Sequence, residues 1–311
     1  MNAGNGRTLL VAGASGHLGR RVVELLRADG TDQVVATTRS PERADDLRRA
    51  GVEVRFADFD LPDSLDRAFA GVDRLLLIST GSDPTRRRRL ARHRAVIAAA
   101  QRRGVAHVVY TSISSPRPSS EPSLFDDHWR TEQCLADSAL DWTVLRNNLY
   151  ADQFFDTLPA VLVFGRLTTI APAAPVGYVL RDDCARAAAA ALSAEAGGRR
   201  VLDITGGAAI DRQTIATVAG ELCGREAVAV ATEPAVLRRN LLRMGLWEHV
   251  ADSLIDIELA VAEGRHAVVS THFEDLTGER PRGVLDALHE NLPALLAGCA
   301  ALQRRTTPAR P

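Results

Sequence analysis

The sequence predicts an α/β protein with a Rossmann-type, doubly wound parallel sheet and a smaller, mostly helical C-terminal domain. A glycine loop of the form G-x-x-G-x-x-G, at Gly13, Gly16 and Gly19, stands between an apolar run and a segment of helical periodicity. Short β-rich runs then alternate with helical segments as far as Tyr150, and the pattern loosens beyond it. Such alternation is typical of a parallel sheet with right-handed crossovers.

The first half of the chain contains six predicted strands, which cover residues 8–12, 33–38, 52–57, 74–79, 107–112 and 142–146. Glycines that are typical of helix-to-strand turns stand at Gly51, Gly71 and Gly104. A further run at 199–205 is expected to return to the same sheet. We therefore expect a Rossmann domain in residues 1–150, joined by a return of 178–205, and a second domain mainly in residues 151–311.

Beyond Tyr150 the sequence predicts two short extended pieces within 162–180, followed by a helix from about Arg181. Further helices are predicted at 211–224, at 248–264 and from Gly283 onward. The final residues, 306–311, are expected to form a frayed tail.

The composition excludes several mechanisms, because all 38 basic residues are arginine and lysine is absent. Schiff-base chemistry, the lysine of P-loop enzymes and the Tyr-x-x-x-Lys pair of classical short-chain dehydrogenases are therefore ruled out. The formal net charge of −1 argues against a nucleic-acid partner, and we interpret the arginine-rich run at 86–95 as the solvated face of a helix.

The sequence predicts neither a metal site nor a membrane segment. Its four cysteines are far apart and form no CxxC pair, and the histidines near residues 266–272 lack a metal-ligand spacing. No apolar run is long enough to cross a membrane, and the N-terminal stretch lacks the features of a signal peptide. We expect a cytoplasmic protein, and the sequence leaves a homodimer open.

The glycine loop is predicted to hold the pyrophosphate of a dinucleotide. Glycines at Gly13, Gly16 and Gly19 would allow a tight turn, a close approach of the backbone to phosphate and close packing of the helix on the sheet. The helix N-terminus would then present its N–H groups to the anion. The alternative is a glycine-rich turn that binds no ligand.

The end of the second predicted strand favours NADP over NAD. Thr38 and Arg39 occupy the position where a carboxylate would bind the ribose 2′-hydroxyl of NAD, and an arginine there suits the 2′-phosphate of NADP. The alternative for Arg39 is a solvated loop residue.

Ligands of open parallel sheets lie beyond the carboxyl ends of the strands, so polar residues there are further candidates. Asp58 would accept a hydrogen bond from the adenine amine, and Ser79 and Thr80 would lie along the ribose and nicotinamide. The remaining polar strand ends are Thr111 and Ser112, and after the sixth strand Arg146, Asn147 and Asn148. For Asn147, a cap after the sixth strand is the alternative to a contact with the nicotinamide or the substrate.

Several stretches resemble the NmrA-like atypical short-chain dehydrogenases, and most of all their flavin-independent NAD(P)H:quinone oxidoreductases. The likeness is carried by GASGHLGRR, TTRSPERA, HRAVIAAAQRRGVAHVVYTS, WTVLRNNLYADQF and RDDCARAAAAAL. The resemblance implies a Rossmann domain that binds NADPH and a cleft in which hydride passes directly to a quinone. It implies cofactor contacts at Gly13, Ser15, His17, Leu18, Arg39, Asp58 and Ser79, and it places Asn147 and Tyr150 in the active cleft.

The catalytic tyrosine and lysine of classical short-chain dehydrogenases are replaced, at the matching spacing, by His128 and Glu132. His128 is either a proton donor or substrate contact, or a helix residue with a structural hydrogen bond. A quinone needs little acid catalysis, because positioning and a hydrogen-bond donor for its oxyanion suffice. The segment between Ser112 and His128 is expected to be a lid or a surface loop.

These observations predict an NADPH-dependent oxidoreductase acting on a quinone or a related aromatic polyketide. The alternative is an NADP-sensing regulator that does not turn over its nucleotide.

Overall fold

A computed structural model describes residues 6–81, 88–121, 123–195 and 197–306. Seven strands form one parallel sheet in the order β3-β2-β1-β4-β5-β6-β8, which is the arrangement of a doubly wound fold. The strands are β1 (Thr8–Ala12), β2 (Gln33–Thr38), β3 (Glu53–Phe56), β4 (Arg74–Leu77), β5 (His107–Ile113), β6 (Asp141–Asn147) and β8 (Arg199–Ile204). The fold class predicted from the sequence is therefore confirmed.

The chain folds into two compact units. Unit 1 contains the described parts of 1–147, 182–204 and 272–279, and unit 2 contains those of 148–181, 205–271 and 280–311. The helices that connect the strands of the large sheet are α1 (His17–Asp29), α2 (Asp45–Arg49), α3 (Pro62–Ala68), α4 (Arg88–Arg102), α5 (Leu124–Ala136) and α7 (Arg181–Ser193), with a short 3₁₀ turn at Pro41–Arg43 and a further helix, α11 (His272–Thr277).

The core of unit 1 lies on both faces of the central strands. Leu75 and Leu76 are successive residues of β4 whose side chains point to opposite faces, and both are fully buried, as expected for a parallel sheet covered by helices on both sides. Two arginines fasten the end of α7 to this sheet. Arg74 donates to the carbonyl oxygens of Leu192 and Ala191, and Arg7 donates to those of Ser193 and Ala194. These bonds satisfy carbonyls that every helix leaves open at its C-terminus.

Unit 2 is mostly helical and contains a small parallel sheet of β7 (Arg166–Thr169) and β9 (Val228–Ala231). Its helices are α6 (Asp152–Phe164), α8 (Arg212–Cys223), α9 (Pro234–Arg243), α10 (Glu248–Ala262), α12 (Val284–Glu290) and α13 (Leu292–Thr306). Between α9 and α10, Met244 and Trp247 are each 75% exposed. None of the described helices is long and apolar enough to cross a membrane.

Three details differ from the sequence expectations. The helix predicted from Gly283 onward is two helices, which are separated at Asn291. Residues 162–164 end α6 instead of forming an extended piece, because Gly165 adopts φ +77° and closes the helix only there. The strand β9 was not predicted. Arg86, Arg87 and most of the expected tail, 307–311, lie outside the described residues.

Candidate dinucleotide site in unit 1

The glycine loop joins β1 to α1 and leaves the first N–H groups of the helix open. Gly13 adopts φ +89°, a left-handed conformation that side chains disfavour, and so turns the chain immediately after the strand. Gly16 is the N-cap of α1, where no side chain caps the helix and the first turn contains no acidic residue. These amides and the positive end of the helix dipole therefore suit an anion.

Gly19 allows the helix to pack directly on the loop. A Cβ atom at this position would lie 2.5 Å from the carbonyl oxygen of Gly13 and 2.9 Å from the Cα of Ala14, so no larger residue fits. At Gly16 a Cβ atom would make only ordinary contact, at 3.5 Å from the same oxygen. The packing of the protein itself thus requires Gly19, whereas Gly16 leaves room in front of the loop.

The other predicted residues of this loop differ in exposure. Ser15 and His17 are exposed beside the open amides, whereas the side chain of Leu18 is buried in the core. Leu18 can therefore offer a ligand only its backbone.

A cavity of about 350 Å³ opens at the carboxyl ends of β1 to β4. Five predicted cofactor residues line it: Gly13, Ser15, Arg39, Asp58 and Thr80. Thr38, which the sequence placed beside Arg39 at the end of the second strand, lines it too. The other lining residues were not predicted as cofactor contacts: Thr37, Ala57, Phe59, Gly81 and Arg92. The position agrees with the rule that ligands of open α/β sheets lie beyond the strand ends.

Asp58 is held in a defined orientation after β3. Its main-chain N–H donates to Ser64 Oγ at 2.9 Å, and its Oδ1 accepts from the N–H of Asp60 at 3.0 Å. This local turn fixes the carboxylate at the cavity wall.

Arg39 follows β2 and lines both the main cavity and a second one of about 210 Å³. The second cavity also contains Arg20, Ser40 and Arg43, and Arg20 forms an ion pair with Asp46. A guanidinium pocket with a hydroxyl beside it favours a phosphate group.

Arg92 enters the site from α4, where the sequence suggested only a solvated face. Its Nε and Nη2 atoms donate to the two carboxylate oxygens of Asp60, at 2.9 and 2.6 Å. This contact lowers the pKa of the Asp60 carboxyl. No sequence spacing indicated this pair, because the two residues are 32 positions apart on different elements.

The ends of β4 and β5 are joined by side-chain hydrogen bonds. The N–H of Ser79 donates to Thr111 Oγ1 at 2.9 Å, and Thr111 is buried. Ser112 donates to Glu132 Oε1 at 2.6 Å, and Arg146 donates to both oxygens of the same carboxylate. Glu132, which occupies the position of the missing lysine, is therefore the acceptor of an internal network.

His128 lies in α5 and is paired with Tyr110 on β5. The distance from His128 Nδ1 to Tyr110 Oη is 2.7 Å, and both side chains are buried. Burial lowers the pKa of His128 well below its ordinary value and raises the pKa of Tyr110, so both groups are neutral at neutral pH. A neutral imidazole can donate a hydrogen bond but is a poor acid, which argues against His128 as a full proton donor.

Asn147 ends β6 and is buried, and its carbonyl oxygen accepts from the N–H of Ser114 at 2.9 Å. Tyr150 belongs to unit 2, where its backbone bridges to Val179 and the guanidinium of Arg181 lies 5.5 Å from the centre of its ring. Asn147 thus lies in the same unit as the cavity, and Tyr150 does not.

The segment between Ser112 and His128 is only partly a loop. Residues from Leu124 onward form the first turn of α5, which Ser123 caps by accepting from the N–H of Asp126 at 3.1 Å. Within the described ranges, no group of three or more His, Cys, Asp or Glu side chains is placed to hold a metal ion.

Comparisons with known proteins agree with this geometry. A family model described as NAD(P)H-binding matches residues 13–195. Quinone oxidoreductase 2 of Escherichia coli is 32% identical over 257 residues, which are 82% of this chain and 88% of that protein. Its crystal structure in complex with NADPH has a TM-score of 0.84 at 30% identity and covers 91% of this chain and 99% of that one.

An NmrA-like family domain-containing oxidoreductase of Aspergillus flavus is 30% identical over 91% of this chain and 94% of its own length. The structure of the negative transcriptional regulator NmrA in complex with NAD has a TM-score of 0.73 at 15% identity, covers 93% of this chain and 96% of that one, and shows the fold alone.

Proposed function

Because this chain belongs to the NAD(P)H-binding NmrA-like family, we propose that it transfers hydride from NADPH directly to a quinone or quinone-like aromatic substrate, without flavin or metal. The chain is an NAD(P)H-dependent oxidoreductase, as the sequence predicted. The observation that carries the proposal is the cavity at the strand ends, which begins at an uncapped helix N-terminus and ends at Arg39. An aromatic polyketide is one member of the proposed substrate class.

The residues of this cavity fit the cofactor. The open amides of α1 suit a pyrophosphate, and Gly19 has no room for a side chain because the helix lies against the loop. Arg39, with Arg43 and Ser40 beside it, would hold a 2′-phosphate. When bound, NADPH supplies the hydride.

The protein would contribute position and hydrogen bonding. Asn147 is held by the backbone of β6 at the end of the sheet, where we expect its amide to orient the nicotinamide or the quinone oxygen. His128 is neutral and would donate a hydrogen bond to the developing oxyanion, and water would complete the protonation. Tyr150 remains a predicted contact of the substrate.

A second candidate function is redox sensing without turnover. It is favoured by the absence of the Tyr-x-x-x-Lys pair and by the shared fold of the regulator NmrA. A sensor would bind NADPH and leave its absorbance unchanged in the presence of acceptors.

The deciding experiment measures NADPH absorbance after a panel of benzoquinones, naphthoquinones and aromatic polyketide quinones is added to the purified protein. We expect oxidation of NADPH by at least one of them, a protein without flavin absorbance, and rates that a chelator leaves unchanged. Tight NADPH binding with no oxidation by any member would favour the sensor. A yellow protein with bound flavin would contradict direct hydride transfer.

A further inference from the structure

Helices α4 and α5 contact each other in unit 1 partly through buried polar side chains. Arg89 Nη1 lies 3.8 Å from Asp127 Oδ2, and His93 Nδ1 lies 3.0 Å from Thr131 Oγ1. Each helix contributes residues four positions apart, which therefore share one helix face. All four side chains are buried, which is costly unless their polar atoms are satisfied.

The α4 side of this contact also binds the main chain of Thr80, which lines the cofactor cavity. The N–H of Thr80 donates to His93 Nε2 at 3.1 Å, and its carbonyl oxygen accepts from Arg89 Nε at 2.9 Å. Both main-chain polar groups of Thr80 are thus held by α4. Thr80 lines the cavity, and its buried hydroxyl oxygen has no hydrogen-bond partner among the described residues.

The donor and the acceptor can be assigned in both hydrogen bonds of the His93 ring. A main-chain N–H can only donate, so His93 Nε2 accepts from Thr80 and the ring proton is on Nδ1. Nδ1 therefore donates to Thr131, whose hydroxyl donates in turn to the carbonyl oxygen of Asp127 at 2.7 Å. Burial and the charges of Arg89 and Arg92 lower the pKa of His93 to about 3, which keeps this neutral tautomer at physiological pH.

A buried hydroxyl without a partner is rare in proteins and calls for an explanation, which a hydrogen bond to a bound ligand would supply. We propose that His93 is a positioning residue for the dinucleotide, which fixes the main chain of Thr80 so that the Thr80 hydroxyl meets a ribose hydroxyl of the nucleotide. This inference rests on the proposed function. This role differs from one in packing alone, because it needs only one of the two hydrogen bonds of His93. That is the bond to Thr80, which lines the cavity.

Two substitutions separate those bonds. His93→Asn keeps a donor near the position of Nδ1 for Thr131 but has no acceptor that reaches Thr80. His93→Gln carries an acceptor near the position of Nε2 for Thr80 and gives up the bond to Thr131. We expect His93→Asn to raise the Kd for NADPH about tenfold, and His93→Gln to raise it by no more than about threefold.

Isothermal calorimetry gives the Kd for NADPH of both variants, and urea unfolding of the nucleotide-free variants shows whether each is folded. A purely structural His93 would make His93→Gln at least as harmful as His93→Asn, or would lower stability in both and leave the Kd unchanged. Either result overturns the inference.

Thr80→Val supplies an independent test, because it removes the hydroxyl and keeps the shape of the side chain. We expect about the same tenfold loss, and a double variant His93→Asn/Thr80→Val that is no worse than either single variant. Additive losses, or a Thr80→Val protein that binds NADPH as wild type does, would overturn the inference alone. A wild-type protein that does not bind NADPH would overturn the proposed function, and the inference with it.

Discussion

In unit 1 the buried His93 binds the main chain of Thr80, which lines the cavity, whereas in unit 2 the buried Arg212 forms an ion pair with Glu258. In unit 2, Arg212 Nη2 lies 2.7 Å from Glu258 Oε1, and Thr169 donates to the same carboxylate at 2.6 Å. These contacts join β7 to α8 and α10. In unit 1, His93 and Tyr110 are uncharged, and their rings meet edge to face with their centres 5.5 Å apart. The difference teaches that a buried polar side chain can position a residue of a candidate ligand site, as His93 does, or can join a strand to helices, as Arg212 does.

The largest expected difference between the two units is in the pH dependence of their free energy of unfolding. The pKa values of His93 and His107 in unit 1 are lowered by burial to about 3 and about 4, and that of His128 lies well below normal. In unit 2 the pKa of His266 is lowered to about 4. Each folded-state pKa lies below the unfolded value of about 6.5, so the unfolded chain binds more protons between these values.

The stabilisation from a neutral buried histidine is therefore fully present above about pH 6.5 and is lost as the pH falls toward the folded pKa. Each histidine should lower the free energy of unfolding by about 1.4 kcal/mol per pH unit in that window. We expect unit 1 to lose about 4 kcal/mol per pH unit and unit 2 about 1.4. Hydrogen exchange of each unit at pH 7, 6 and 5 measures this. If both units lost the same free energy of unfolding per pH unit, the prediction would be wrong.

Glu258→Ala should have the next largest effect, because it leaves the Arg212 guanidinium buried without its partner. We expect the free energy of unfolding to fall by about 3–5 kcal/mol in urea titrations. The matched control, Arg212→Met with Glu258→Leu, removes both charges and should be far less harmful. A Glu258→Ala protein of wild-type stability would mean that the ion pair does not hold unit 2 together.

Arg39→Ala should change cofactor choice and leave stability intact. A charge-assisted contact with the 2′-phosphate is worth about 1.5–3 kcal/mol, which corresponds to a roughly ten- to hundredfold preference for NADPH over NADH. The variant should lose most of that preference and keep its affinity for NADH, because NADH lacks the 2′-phosphate. Dissociation constants for both nucleotides, in wild type and variant, measure it. Equal binding of both nucleotides by the wild type would mean that Arg39 does not contact the 2′-phosphate.

Asn147→Ala is expected to lower turnover by about tenfold and to change the Kd for NADPH by less than about twofold. The reason is that Asn147 is fixed by β6 where the reacting ring is expected. His128→Ala is the comparison variant and should have a smaller effect, since water can replace its hydrogen bond. Steady-state rates with an accepted quinone, together with calorimetry, separate the two quantities. Unchanged quinone reduction would remove Asn147 from the site.

The parts of this site that follow from local chain geometry could be predicted from the sequence. The strand bounds 8–12 and 33–38 coincide with β1 and β2, since alternating helices and apolar strands leave few other arrangements. The roles of Gly13 and Gly19 also followed from their spacing, because a positive φ and a close helix contact are properties of the turn itself.

The parts that the sequence did not indicate depend on tertiary contacts. Arg92 and His93 stand in an arginine-rich helix whose polar composition suggested only solvent exposure, yet Arg92 lines the cavity and His93 is completely buried. Periodicity could not reveal their partners Asp60 and Thr131, which lie on other elements. For β9 no strong pattern exists, because a four-residue strand gives too short a signal.

The exposed Trp247 between α9 and α10 has a consequence for spectroscopy. An indole that water already surrounds emits at nearly the same wavelength whether its surroundings are folded or not. The other two tryptophans, Trp129 and Trp142, are partly buried, and both lie in unit 1. A shift in intrinsic fluorescence during denaturation therefore reports the unfolding of unit 1. A melting curve recorded in this way hardly detects the unfolding of unit 2.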